Sequence, residues 1–451
     1  MRLIWILLSV SLLSLAATML GRGQNHPSQV APAPSEPTAS STNQSRSTLS
    51  TPSACYTLSP ERRAKAVAYS RALYVLYFGG TLVSLGIYLL LWRTRIAGIF
   101  RDGAQRVSRR LIVQCLIFVP LFVATAALLN FPFDYYYGYS LEHRFGLSTQ
   151  GFASWLGDWG KSMAITGGCG VIVAWVFYTA VRRSPRRWWF YFWLASIPLM
   201  LAFLLVEPYW VEPLFYRFTP LEKTDPSLVE RIEAMLNHAG LSIPPARILE
   251  MDASSKTRTI DAYVSGLGSS QRVVVWDTTL QKVGPDELLL VLGHETGHYV
   301  LHHIPKEFVL DEGVALLFFF LGFLALNRWV ERAVPRSGVA GVGDLASFPL
   351  ALAVLTVLVF LSAPIVNGIS RHYEHQADQF GLEVAYGVVP DPNAAEIRAL
   401  QILGEEDLAD PDPSPFIKFW LYTHPPLEDR MRFAASYKPW AQGKPLELLP
   451  K

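Results

Sequence analysis

Two histidines and a glutamate, spaced as HExxH, are the residues of this chain whose types and spacing best fit hydrolytic chemistry. They are His294, Glu295 and His298. Pro285 and the acidic residues after it are typical of a helix N-terminus, so one helix is predicted over 284–303. Residues four apart project from one helix face, which suits two ligands of one tetrahedral zinc ion. Glu295 lies about 100° away around the helix, where it can act on water without binding the metal.

A catalytic zinc ion needs a third protein ligand, and Glu374 is the strongest candidate. Such sites use three protein ligands and leave one position open. Asp378 follows one helical turn later, where it can hydrogen-bond a ligand histidine and fix its orientation. The spacing alone leaves two interpretations open. Either Glu374 completes a His₂Glu site for one zinc ion per chain, or both carboxylates belong to an ordinary solvated helix face. Two incidental histidines in a buried helix are the corresponding alternative for HExxH.

The composition places these residues in a membrane protein. Of 451 residues, 51% are hydrophobic and only 17% are charged, and the excess is concentrated in runs of about 20 residues, the length that spans a bilayer. The three cysteines suggest no disulfide framework. The net charge of +2 gives no reason to expect nucleic acid as a partner. The lipid bilayer is the expected partner, with six predicted spans: Leu73–Trp92, Leu111–Leu129, Met163–Val181, Trp188–Tyr209, Val314–Val330 and Ala346–Ile369.

The predicted fold is a multi-pass α-helical membrane protein with an inserted α+β zincin-type metallopeptidase domain. Residues 1–20 are either a signal peptide or a first membrane anchor, and the Ser/Thr/Pro-rich residues 21–60 are predicted to be a disordered linker. The remaining parts are an N-terminal membrane domain (61–210), the zinc peptidase domain (211–312), two further spans (313–370) and the C-terminal part of the peptidase domain (371–451). Four shorter elements are predicted: an interfacial amphipathic helix at Leu141–Ser162, a helix at Pro226–Ala239, and strands at Ala246–Met251 and Arg272–Trp276.

Further motifs make the chain resemble a known family, the membrane zinc endopeptidases typified by CAAX prenyl protease 1. They occur in order along residues 60–440, which is more specific than any one motif. They are Arg144-Phe145-Gly146-Leu147, Glu212-Pro213-Leu214-Phe215, Asp261-Ala262-Tyr263-Val264-Ser265-Gly266, Val273–Leu280 (VVVWDTTL), Ser370–Asp378 (SRHYEHQAD), and His424-Pro425 with Arg430.

The resemblance implies a role for each candidate site residue. His294, His298 and Glu374 would be the zinc ligands, Glu295 the general base and Asp378 the support of a ligand. His424 would stabilise the tetrahedral intermediate. The resemblance also covers His303, just past the zinc helix, and it places Asp261 and Arg430 near the substrate or its developing oxyanion.

The implied activity is that of a membrane-embedded zinc endopeptidase acting on peptides or membrane proteins, in quality control or peptide processing. A catalytically impaired scaffold or carrier is the alternative. One departure bears on this choice, because the family usually has Asn where this chain has Asp261. An amide can donate to an oxyanion, whereas an ionised carboxylate repels it. Asp261 is therefore protonated, faces elsewhere, or meets a differently placed substrate.

Basic loops predict the orientation in the membrane. The first Arg-rich loop (93–110) has six arginines against one aspartate, and the second Arg-rich loop (182–187) has four arginines. Short basic loops stay in the cytoplasm, so the zinc domain and the tail are predicted to face the extracytoplasmic side. The signal-like start and the Ser/Thr/Pro-rich linker favour a bacterial inner membrane. The eukaryotic members of the family differ, since their sites face the cytosol.

Overall fold

The computed structural model describes residues 55–449. The predicted signal peptide or anchor (1–20) and nearly all of the predicted linker (21–60) lie outside the described residues. The prediction of disorder is wrong for the end of the linker, because Tyr56 is buried in the core of the peptidase region. The ring of Tyr56 packs over Gly404 so closely that a Cβ added to this glycine would lie 2.4 Å from the ring. In addition, Thr57 N donates to Gln401 Oε1 at 3.3 Å.

Helices of different lengths form most of the first described part of the chain. They are α1 (Pro60–Arg93), α2 (Ile96–Val107), α3 (Leu111–Tyr135), α4 (Leu141–Arg144), α5 (Phe152–Arg183) and α6 (Trp188–Val206). Four of them, α1, α3, α5 and α6, are long and apolar enough to span a membrane. Their inner faces pack through aromatic rings, such as Phe177 of α5 and Phe192 of α6 with centroids 5.2 Å apart. Their outer faces leave leucines exposed, Leu128 by 72% and Leu82 by 70%, as expected for a surface that faces lipid.

The predicted amphipathic helix over Leu141–Ser162 is wrong in its bounds. The helix breaks between α4 and α5, where Gly146 adopts φ +67°. In this loop Thr149 N donates to Lys256 O at 3.1 Å, so its backbone pairs with the peptidase region instead of continuing a helix. Trp155 lies in the first turn of α5 and is buried, so this turn continues directly into the third span.

The α+β region follows, and its central element is a small mixed sheet. Its elements are β1 (Phe218–Pro220), α7 (Pro226–His238), β2 (Ile248–Met251), β3 (Ala262–Ser265), β4 (Arg272–Trp276), α8 (Asp277–Lys282) and α9 (Pro285–Val300). The strand order is β1-β2-β4-β3, with β2 and β4 parallel and the two outer pairings antiparallel. Every residue of β4 is buried, as its run of valines predicts for a central strand. The strand β3 lies at an edge.

The sheet is attached to the membrane helices through Glu212, which follows α6. Arg272 on β4 pairs with Glu212, and Tyr263 on β3 donates its hydroxyl to Glu212 Oε2 at 3.0 Å. Edge strand β3 is therefore held in a fixed position relative to the end of the fourth span.

The rest of the chain returns to the membrane and then completes the peptidase region. It forms α10 (His303–Ser337), α11 (Phe348–Ala385), α12 (Pro392–Glu406), α13 (Pro415–Leu421) and α14 (Leu427–Ser436). With α10 and α11, six helices within residues 55–449 have the length and composition of membrane spans. His302 adopts φ +56° and separates α9 from α10, so the fifth spanning helix begins at 303 and not near the predicted boundary at 312.

Glycines bring α9 against α11. A Cβ on Gly293 would lie 3.0 Å from Val384 Cγ1, and one on Gly297 would lie 3.1 Å from Phe380 Cβ. From the other side, a Cβ on Gly381 would lie 3.1 Å from His294 N. Since these distances are shorter than most Cβ contacts in proteins, the small residues set how closely the HExxH helix and the helix of Glu374 approach.

Candidate active site

Side chains from α9 and α11 converge on one point. The Nε2 atoms of His294 and His298 lie 3.3 Å apart. Glu374 Oε2 lies 3.1 Å from the Nε2 of His294 and 3.5 Å from that of His298. The three residues form a group whose possible ligand atoms all lie within 4.8 Å of one another. His294 and Glu374 are buried and His298 is half-buried, so Glu374 is not part of a solvated helix face.

The geometry of this group fits zinc. Two imidazole nitrogens and one carboxylate oxygen are a donor set that zinc prefers, with bond lengths of about 2.0–2.2 Å. In a tetrahedron with such bonds, the donor atoms are about 3.4 Å apart. The observed separations of 3.1, 3.3 and 3.5 Å match this edge length. The residues present therefore fit one zinc ion.

Asp378 and Arg430 support His294 from behind. Asp378 Oδ1 accepts the Nδ1–H of His294 at 2.8 Å, which leaves the Nε2 lone pair directed at the centre of the site. Arg430 binds the same carboxylate with two N–H groups, Nε at 2.9 Å and Nη2 at 2.6 Å. The expectation that Arg430 faces substrate is therefore not met. Its guanidinium is used to hold a buried carboxylate and lies on the far side of His294.

His303 supports His298 through a second chain of hydrogen bonds. Gln376 Oε1 can only accept, so at 3.1 Å it takes the Nε2–H of His303. The Nδ1 atom of His303 is then unprotonated and accepts the Nδ1–H of His298 across 3.3 Å. The chain leaves the Nε2 lone pair of His298 free, directed at the same centre as that of His294. The ring of His303 is further held by stacking on Tyr373, with centroids 4.7 Å apart.

Glu295 and Asp261 lie close enough to each other for their charges to interact. Glu295 is half-buried on α9, one residue from a candidate ligand. Asp261 precedes β3, and Thr279 fixes its backbone by accepting its N–H and donating to its carbonyl, both at 2.7 Å. Burial, and next the charge of Glu295, raise the pKa of Asp261 well above its usual range. This direction favours the protonated form of Asp261, the first of the three options that its sequence left open.

His424 reaches the site from the tail. Its Nε2 lies 3.0 Å from Glu374 Oε2, and its ring is roughly parallel to that of His294 with centroids 6.2 Å apart. The hydroxyl of Thr423 lies 3.0 Å from His424 Nδ1 and fixes the ring orientation. The side chain is 30% exposed, so its imidazole borders both the ligand group and solvent.

Comparison with known proteins gives matches along most of this chain. A model of the CAAX prenyl protease N-terminal region, described as five membrane helices, matches residues 43–217, and the model of peptidase family M48 matches residues 222–438. The uncharacterized metalloprotease YhfN of Bacillus subtilis is 29% identical over 84% of this chain and 86% of that protein. CAAX prenyl protease 1 of Saccharomyces cerevisiae is 26% identical over 71% of this chain and 72% of that protein.

The fold has a counterpart among solved structures. The crystal structure of S. mikatae Ste24p matches with a TM-score of 0.72 at 24% identity, over 84% of this chain and 90% of that chain. The chain belongs to the membrane metallopeptidase family typified by CAAX prenyl protease 1. The predicted fold class, resemblance and metalloendopeptidase activity are thereby confirmed, and the alternative of a scaffold or carrier is not favoured. Peptidase family M48 is zinc-dependent in general.

Several residues around the site of this family member were not found from its sequence. Gln376 lies within SRHYEHQAD but carries no metal-binding signal of its own. Glu396 on α12 is buried near Asp378 and Arg430, and burial together with the charge of Asp378 raises its pKa to about 7. Tyr299, next to a candidate ligand, donates its hydroxyl to carbonyls of the β3 region at 3.0 and 3.2 Å. Glycines did offer a signal, since a glycine in mid-helix indicates close packing, and Gly293, Gly297 and Gly381 all lie within helices.

Proposed function

We propose that this protein is a zinc endopeptidase whose metal is held by His294, His298 and Glu374, with one ion per chain. The observation that carries the proposal is the set of three donor separations that match the edges of a tetrahedron. When bound, zinc supplies a Lewis acid that polarises the scissile carbonyl and activates water for attack. Asp378 and His303 hold the two imidazoles in the tautomer that binding requires.

Glu295 is proposed as the general base. It is next to His294 on α9 yet outside the ligand group, so its carboxylate is free to exchange protons. It accepts the proton of the attacking water and then delivers it to the leaving amide nitrogen. A half-buried carboxylate suits this role because it is close to substrate and still reachable by water.

The open edge of β3 is proposed to bind the substrate main chain. Trp276 N donates to Asp261 O at 3.1 Å, so the odd-numbered residues of this antiparallel strand direct their backbone groups to β4. Ala262 and Val264 therefore direct theirs to the other edge, where no strand within residues 55–449 pairs. The hydroxyl of Tyr299 donates to the carbonyl of Val264. The Val264 N–H and the Ala262 carbonyl are then left to bind an extended peptide.

Asp261 and His424 are proposed to face the developing oxyanion. In its protonated form, which burial favours, the carboxyl of Asp261 has a hydroxyl to donate and replaces the donor that the family's usual Asn supplies. His424 supplies a second donor at Nε2 from the opposite side, oriented by Thr423. Arg430 is proposed as a positioning residue for His294, acting through Asp378.

The substrates are proposed to be peptide segments of membrane proteins or short peptides at the membrane, in quality control or peptide processing. Relatives named CAAX prenyl protease 1 support a peptide substrate close to the membrane. The site lies where α11 leaves its predicted span, so such segments reach it from the bilayer surface.

The site is proposed to face the extracytoplasmic side of a bacterial inner membrane. Arg101 in the first Arg-rich loop pairs with Asp344, and Arg182, at the start of the second, donates its Nε–H to Gly343 O at 2.9 Å. Both basic loops therefore share one end of the helix bundle, as the assignment requires. The site lies beyond the other ends of α6 and α11. Basic loops remain in the cytoplasm, which supports the proposal of an extracytoplasmic site.

Cleavage assays test the activity, and reporter fusions test the orientation. The purified protein should cleave an unstructured peptide, stop after treatment with a zinc chelator, and recover with added zinc. A chelator-resistant activity would contradict the metal assignment. Alkaline phosphatase fused after the C-terminus should be active and green fluorescent protein there dark. The reverse pattern would place the site in the cytoplasm without affecting the peptidase assignment.

A further inference from the structure

The tail contains a short apolar helix, α13, that ends three residues before His424. Its sequence is PFIKFWL, with Lys418 as the only charged residue. Phe416 and Phe419 are 54% and 55% exposed. This seven-residue helix therefore presents an apolar patch of two half-exposed phenylalanines and a tryptophan. Such a patch is unusual on a surface that faces water.

The helix lies across two membrane helices. The ring of Phe416 stacks on Phe78 of α1 with centroids 5.9 Å apart. The ring of Trp420 contacts Phe360 of α11 with centroids 4.9 Å apart, and Phe78 and Phe360 are themselves 6.0 Å apart. The helix α13 thus covers the line along which α1 and α11 meet.

The exposed side of α13 continues the lipid-facing surface of these two helices. On α1, Val75 and Leu82 share a face with Phe78 and are 66% and 70% exposed. On α11, Leu361 and Ile365 follow Phe360 and are 57% and 67% exposed. Because α1 and α11 span the membrane, these aliphatic side chains face acyl chains, and the phenylalanines of α13 lie in the same surface.

The depth of α13 and its hydrogen bonds fit an apolar environment. Phe78 and Phe360 lie about 8 Å and about 13 Å inside the predicted ends of their spans. The end of a helix leaves carbonyls unpaired, which is costly in lipid. Here Asn367 Nδ2 donates to Trp420 O at 2.7 Å, and Arg371 Nη1 donates to Lys418 O at 3.2 Å. Two polar side chains of α11 therefore pair carbonyls that water would otherwise have to satisfy.

We propose that α13 is an interfacial membrane helix, with Phe416 and Phe419 inserted among the acyl chains of the leaflet on the peptidase side. Lys418 keeps its ammonium group at the headgroups while its stem lies along the apolar surface. Because His424 follows closely, the bilayer fixes the height of this histidine above the membrane, and with it one side of the active site.

Spin-label accessibility tests the proposal. Single cysteines at positions 416 and 419, in a variant whose native Cys55, Cys115 and Cys169 are replaced, are nitroxide-labelled in lipid vesicles. Asp429→Cys on α14 is the matched control, since the side chain of Asp429 is likewise 55% exposed. Labels at 416 and 419 should be more accessible to oxygen, which partitions into lipid, than to a water-soluble nickel complex. The label at 429 should show the opposite order.

Two outcomes overturn the proposal. If labels at 416 and 419 are as accessible to the nickel complex as the label at 429, then α13 lies in water. If they are shielded from both reagents, another protein surface, such as a second copy of this chain, covers the helix. A second experiment needs neither cysteine substitutions nor labels, so it applies even if the labelled variants do not fold. In the unmodified protein, a lipid with a photoreactive acyl chain should crosslink to peptide 415–421, and absence of that crosslink would equally contradict the assignment.

Discussion

Replacing Arg430 by methionine should weaken zinc binding, although Arg430 does not touch the metal site. The carboxylate of Asp378 is only 3% exposed and accepts two N–H groups from Arg430 and one from His294. Methionine retains much of the side-chain volume but removes the charge and both donors. Asp378 then becomes a buried carboxylate with one remaining partner.

The magnitude follows from two contributions. Breaking a buried charge pair costs about 3–5 kcal/mol of folding stability. Loosening the outer partner of a ligand histidine weakens metal affinity by about 10- to 100-fold. Adding Asp378→Asn to Arg430→Met should recover part of the stability, because no buried charge is left. It should not restore zinc affinity, since an amide oxygen holds His294 less strongly than a carboxylate.

Zinc affinity by chelator competition and thermal unfolding in detergent measure the two effects. Arg432→Met is the matched control on the same helix, because Arg432 is 60% exposed and its ion pairs within residues 55–449 are with Glu428 and Asp429 on the same surface. It should change neither quantity measurably. If Arg430→Met bound zinc as tightly as Arg432→Met, the reasoning that Arg430 positions His294 through Asp378 would be wrong.

Three further changes probe other parts of the site. Asp261→Asn should leave cleavage at neutral pH unchanged or raised, since the amide supplies a neutral donor at every pH. A loss of several hundred-fold would show a role for the carboxylate itself. For Glu396, the pKa of about 7 lies above its unfolded value of 4.5, so wild-type stability should fall by about 3 kcal/mol as pH rises through that window. Glu396→Gln should flatten this fall in melting temperature, and an unchanged slope would show that another group causes it. Gly381→Ala places a Cβ 3.1 Å from the backbone of the zinc helix, so it should cost about 1–3 kcal/mol of folding stability and weaken zinc binding. Gly368→Ala on the same helix as Gly381 is the control, because its Cβ meets a flexible arginine at 3.6 Å and should be tolerated.

Much of this arrangement was predictable because it depends on local periodicity. Helical spacing alone put His294 and His298 on one face, and one helix continues from the sixth span through Glu374, as its composition predicts. The six spans were predictable because an apolar run of about 20 residues matches the thickness of the hydrocarbon layer.

The remainder depends on contacts between residues that are distant in sequence. Arg430 meets Asp378 across 52 residues, and His303 meets Gln376 across 73. The left-handed turn at His302 brings His303 back beneath the zinc helix, and no local sequence pattern predicts this turn. The helix predicted at Leu141–Ser162 was wrong for a similar reason, since its middle pairs with a loop of the peptidase region.

The central claim is that Glu374 is the third zinc ligand and Glu295 the base. The most direct test measures zinc content and peptide cleavage together in the wild type, Glu295→Gln and Glu374→Ala, with His375→Ala as control because His375 packs on Phe433 away from the ligand group. We predict one zinc per chain and no cleavage for Glu295→Gln, loss of both for Glu374→Ala, and retention of both for the control. Full zinc and full cleavage in Glu374→Ala would contradict the account.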